Sequence, residues 1–228
     1  MDVNPCKEKR EATTTPQASD LCQTQMTINA SRPSASGYPV PGRNSEPGHD
    51  LQPIVSHSRV VKAAMELLLQ GESLLAGVDS ASYARRVPMV FNGSIGGHYR
   101  HCLDHFSCLL HRGIEGVIDY DHRERDGRIE QDPVHALAAT RQLLAGLQDL
   151  DPSALEQSVM ARCEVSYESG DSPVTASTVG RELVYAIAHG IHHYAMISVI
   201  ARLQNIGLPE NFGVAPSTVA HLKKLSSD

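Results

Sequence analysis

The chain has no tryptophan, three phenylalanines and seven tyrosines, so its core is expected to rest on Leu, Val, Ile, Ala and Met. Its five cysteines, Cys6, Cys22, Cys102, Cys108 and Cys163, are odd in number and form no Cys-x-x-Cys pair. This argues against a disulfide framework and favours a reducing compartment, with Cys102 and Cys108 read as small core residues. No apolar run reaches the roughly 20 residues of a bilayer crossing, and the N-terminal stretch lacks the apolar centre of a secretory signal. A cytoplasmic protein with no membrane partner is the expectation. Basic residues are also few: 20 Lys and Arg against 26 Asp and Glu leave a net charge of −6, which speaks against a nucleic-acid surface. There is no nucleophile elbow, phosphate-binding glycine loop or dinucleotide fingerprint, so acyl-enzyme chemistry and nucleotide hydrolysis have no positive support.

Apolar residues make up 41% of the chain, enough for a substantial core. They are unevenly spread. Residues 1–50 are rich in Thr, Ser, Pro, Asn and Gly and read as a disordered or loosely packed tail, because they cannot bury enough apolar surface to offset ordering entropy. Residues 51–228 read as one helical domain ending in a coil and a short helix at 218–225. Apolar spacing of three and four predicts long helices over 52–76, 94–111, 134–150 and about 178–205. Ser94 is placed to cap the second, and Ser177 or Thr178 the fourth. Alternation in RCEVSYE allows a small β-hairpin from 159–167 and 174–176, before the last long helix. The charged stretch 117–133, containing DYDHRERDG, reads as a solvated connection. The fold class expected is all-α, a four-helix bundle.

Six of the twelve histidines fall in two of these helices: His98, His101 and His105 in GGHYRHCLDHF, and His189, His192 and His193 in AHGIHHYAM. At about 100° per residue, each set has members one above another on a single face. Packing the faces together would gather imidazoles around a transition metal, with zinc about 2.1 Å from each nitrogen. Nickel, iron or cobalt would suit the same donors. Hydrogen-bonded core histidines explain an isolated His-x-x-x-His pair equally well. The pair is not His-Glu-x-x-His, so the general base of the zinc-peptidase helix is missing. Glu182, two turns before His189, could orient a ligand or pair with Arg181, Arg202 or Arg100. Asp104, one turn from His101, could hold that ring, move a substrate proton, or pair with Arg100, His105 or a loop arginine. Tyr99 and Tyr194 are candidates for the pocket rim, and Arg123 with Arg125 could receive a carboxylate.

Two segments, SIGGHYRHCLDHF at 94–106 and STVGRELVYAIAHGIHHYAMISVIARLQ at 177–204, make the chain resemble the DinB-like (DinB/YfiT-like) superfamily over residues 51–206. The resemblance implies a four-helix bundle of unusual connectivity holding a divalent metal, with zinc or nickel foremost and iron an alternative. A helix-starting Ser, a small residue and a following histidine fall on Ser94, Gly96 and His101, and the closing pattern falls on His189, His192 and His193. The implied ligands are therefore His101, His189 and His193. Because His98 and His105 flank His101, either could replace it as first ligand.

The resulting expectation is a metal-dependent transferase or hydrolase, in which the ion activates water or a low-molecular-weight thiol to act on a small molecule. Asp104, His98 and His105 are the expected proton carriers. The alternative is a non-catalytic metal-binding or stress-related bundle protein. A homodimer through exposed helix faces is compatible with both.

Overall fold

The computed structural model describes residues 53–168 and 170–227, all within one compact unit, His49–Asp228; the expected tail, 1–50, lies outside the described residues. The chain is mostly helical, with a small three-stranded sheet. Helix α1 spans Pro53–Gly77 and is followed by a short α2, Ser80–Ala84. Helix α3 covers Ile95–Arg112, strand β1 Val117–Asp119, α4 Gly127–Gln131 and α5 Pro133–Gln148. Strands β2, Ser158–Arg162, and β3, Val174–Thr178, lead into α6, Val179–Leu203, and the chain closes with α7, Pro216–Leu225.

The helix starts follow from local chemistry. Ser94 accepts a hydrogen bond from the Gly97 amide at 2.9 Å, and Thr178 accepts one from the Arg181 amide at 3.1 Å. Asp132 caps α5 through the Val134 amide, ahead of a proline at the first helical position. Helix α3 packs along α6, α5 and α4, while α1 lies against α5 and α6.

The core is mostly aliphatic, as expected of the composition, and six of the ten aromatics join it, whereas Phe91 and Tyr167 are exposed. Tyr83, Tyr99, Tyr120, Tyr194 and Phe106 are among the largest fully buried side chains. Tyr99 and Tyr194, expected at a pocket rim, instead stack on each other in the core with centroids 6.0 Å apart. Thr140 donates its only hydroxyl proton to the Ala136 carbonyl, so the Tyr99 hydroxyl donates to Thr140 Oγ1 at 2.8 Å. Gly71 of α1 faces both tyrosine hydroxyls, where a Cβ would collide with them. Cys102 and Cys108 are buried, as their apolar surroundings suggested.

The stretch 117–133 is more ordered than a solvated connection. Its first residues form β1, which pairs in parallel with β2, Ile118 opposite Ala161, and its last turn contains α4. Strands β2 and β3 pair antiparallel in the order β1-β2-β3. Helix α6 is long and apolar enough to cross a membrane by length and composition, contrary to the reading that no run was. Its apolar side chains include Leu183, Ala186, Tyr194, Ile197 and Ile200 in the core.

Candidate metal centre

Antiparallel packing of α3 and α6, with His98 beside His193, His101 beside His189 and His105 beside His189 and Tyr185, brings the two histidine sets face to face. His101, His105 and His189 offer ring nitrogens that all lie within 4.8 Å of one another. His101 Nε2 is 2.9 Å from His189 Nε2, and the His105 and His189 ring centroids are 4.3 Å apart. Gly190 contributes to this closeness, because it seats α6 against Leu67 of α1 and Phe106 of α3 without a side chain between them.

His193, implied as a ligand by the resemblance, has its ring centroid 4.6 Å from that of His101, but its Nδ1 lies 3.0 Å from His98 Nδ1. One of those two nitrogens donates and the other accepts. His105, expected to carry protons, stands among the clustered nitrogens. His192 is exposed beside them. Asp104 lies against arginines: its Oδ2 is 2.6 Å from Arg100 Nη1 and 3.7 Å from Arg123 Nε. Burial pushes the Asp104 carboxyl up, against the pull of Arg100, Arg123 and Arg125.

Two residues from outside the histidine helices join the centre: Tyr120, which the sequence reading did not single out, and Arg123, which it had considered only for a carboxylate. Arg123 donates from Nη2 to His101 Nδ1 at 2.8 Å and from Nη1 to the Tyr120 carbonyl. Tyr120 stacks on His105, with centroids 5.2 Å apart and planes 21° from parallel. Its hydroxyl donates to Glu182 Oε2 at 2.9 Å, and Ser177 donates to Oε1 at 2.6 Å. Glu182 therefore has hydroxyl partners rather than a ligand histidine or the arginines considered for it. The β-branched pair in VIDY was the one local signal for β1, and it was too short to read alone.

The donor chemistry suits a divalent ion. His105 donates its Nδ1 proton to the His101 carbonyl at 2.9 Å, which leaves the Nε2 lone pair for a metal. Burial, then neighbouring positive groups, lowers the imidazole pKa values, to about 4 at His105, about 3 at His193 and about 2 at His101. Neutral imidazole is the ligating form. No carboxylate belongs to the cluster, so nitrogen-preferring metals such as zinc or nickel fit better than calcium or magnesium.

The depressed values also govern stability. A histidine whose folded pKa lies below its ordinary 6.5 takes up protons more readily when unfolded, so its contribution is complete above pH 6.5 and is lost as pH falls toward the folded values. Metal-free protein is expected to show a denaturation midpoint that is flat from pH 8 to 7 and declines from pH 6.5 to 5. A His105→Gln variant, measured in parallel, should decline less steeply.

No family model matches the chain, and no solved structure does. It is 31% identical over 111 residues to "FK506-binding protein 5" of Rhizopus delemar, a match covering 49% of this chain and 29% of that protein. The chain thus spans well under half the length of the relative. This relative overturns the expectation of a metal-dependent transferase or hydrolase that activates water or a thiol: the similarity is to a protein named for binding FK506.

Proposed function

We propose that this chain is a binding protein that takes FK506 or a ligand of similar chemistry, and that its histidine centre holds a divalent cation beside that function. The observation carrying the ligand assignment is the 31% identity over 111 residues to FK506-binding protein 5. Room for a ligand exists next to the histidine helix. Cavities of about 360 and 860 Å³ share Asp104, Ser107, His111 and Glu124 in their walls, and Leu103 and Leu143 line the larger one. A mixture of apolar wall and a few polar groups is what a compact organic ligand requires. No bond-making step is assigned to either cavity.

The cation assignment rests on the three converging imidazoles, His101, His105 and His189, with zinc and nickel preferred. The resemblance to the DinB-like superfamily is kept as a proposal for architecture alone: α1, α3, α5 and α6 as a four-helix bundle, supported by the packing of α3 on α5 and α6 and of α1 on the same two helices.

Titration of FK506 into the untagged full chain, followed by calorimetry and thermal unfolding, tests the ligand assignment. Saturable one-to-one binding with a Kd of about 10 µM or tighter is expected, with a rise in Tm that grows with ligand concentration. Absence of heat and of any Tm shift at about 100 µM FK506 would refute it. Elemental analysis of the same sample tests the cation separately, with one zinc or nickel per chain expected.

A further inference from the structure

We infer that Arg123 and a divalent cation are alternative partners of His101, so that Arg123 sets how tightly the histidine centre holds its ion. This rests on the cation reading above and goes beyond it by assigning a residue that is itself no ligand.

The argument follows the protons. A guanidinium only donates hydrogen bonds, so the contact from Arg123 Nη2 to His101 Nδ1 at 2.8 Å requires a bare lone pair on Nδ1. The proton of neutral His101 must then sit on Nε2, from which it donates to His189 Nε2 at 2.9 Å. His189 accepts there and carries its own proton on Nδ1. Two of the three clustered histidines, His105 and His189, thus present Nε2 lone pairs, while His101 presents an N–H.

Binding an ion through His101 Nε2 requires that proton to go to Nδ1. Nδ1–H would then face the Arg123 N–H head on, two donors in a half-buried place with no acceptor between them. If the ion were instead held by His101 Nδ1, the guanidinium would occupy the ion's position. On either route Arg123 and the ion exclude each other. Arg123 has a place to go: Asp104 already lies 3.7 Å from its Nε, and Glu115 and Glu124 line the 360 Å³ cavity that Arg123 also borders.

Zinc affinity of the full chain, measured by competition with a chromogenic chelator, tests the exclusion. Arg123→Gln supplies a carbonyl oxygen that can accept from Nδ1–H, and is expected to tighten zinc binding at least tenfold, to order of magnitude. Arg123→Lys keeps a cationic donor and should stay within about threefold of the original chain. An unchanged or weaker zinc affinity in Arg123→Gln, with the original chain binding zinc, would overturn the inference while leaving the cation reading standing. Zinc bound by none of the three proteins would remove the cation reading and this inference together. A measurement on the unaltered chain guards against misfolded variants. Long-range ¹H–¹⁵N NMR of the histidine rings should find the His101 proton on Nε2 without zinc and on Nδ1 with it. A proton on Nδ1 in the zinc-free protein would contradict the mechanism.

Discussion

Alanine in place of His105 is expected to weaken zinc binding at least about 100-fold, whereas alanine in place of His193 weakens it by about tenfold or less. The contrast separates two ligand sets. His101, His105 and His189 are the three whose nitrogens lie within 4.8 Å of one another, while His193 has its Nδ1 against His98. Removing His105 takes away one nitrogen of three, a direct bond to the ion. Removing His193 disturbs a flanking ring whose centroid is 4.5 Å from that of His189, an effect of orientation rather than ligation. The readout is a zinc competition titration alongside circular dichroism, with helical content unchanged in both variants. The opposite order, His193 essential and His105 dispensable, would return the site to the ligand set that the DinB-like resemblance implied.

Valine at Gly96 should destabilise the domain by about 3 kcal/mol and lower its Tm by roughly 6–12 °C. Gly96 lies in the first turn of α3, where a Cβ would run into the Glu130 carbonyl of α4 and come within 2.7 Å of the Tyr83 ring. The obstacle is main chain, so relief requires moving α4. Tyr83 donates to the Ile129 carbonyl at 2.8 Å, and Arg100 donates to Glu130 at 3.2 Å, both of which hold α4 in place. Gly77 is the control. A Cβ there meets nothing within 4 Å, so Gly77→Ala should leave Tm unchanged or raise it slightly by restricting the unfolded chain. Thermal unfolding followed at 222 nm decides the matter, and equal Tm values for Gly96→Val and the original chain would show that α3 and α4 do not meet as described.

The two effects test different levels of the structure. Gly96 bears on whether the elements sit as described, independently of any ion. His105 bears on chemistry that is meaningful only if they do. Loss of zinc binding by His105→Ala with normal helicity and normal Tm would place the effect at the ligand.

Much of the helical scaffold could be read in the residues. Helix periodicity is local, since residues three and four apart already share a face before anything packs, so α1, α3, α5 and α6 lie within a few residues of where the apolar spacing put them. Ser94 and Thr178 cap α3 and α6 because their side chains reach amides three residues ahead, again within one turn. A hairpin before α6 was anticipated, but β2 ends at Arg162, so the alternating residues RCEVSYE, 162–168, lie almost wholly in the connection beyond it. Local reading failed where a partner lies far along the chain. Strand β1 is three residues long and exists through its pairing with β2, more than forty residues later, and α4 hid in the same charged stretch.

The sequence by itself determined that His98, His101 and His105 share one face of one helix and that His189 and His193 share one face of another, because rise and turn per residue admit nothing else. Which of those rings meet was decided by tertiary structure: the relative rotation of α3 and α6 brought His105 into the cluster and turned His193 toward His98. The sheet carried Tyr120 to His105 and Arg123 to His101, contacts that span 15 and 22 residues and follow no periodicity. Backbone geometry sets spacing within a helix, but meeting across helices depends on how whole faces pack, and that is a property of the assembled core.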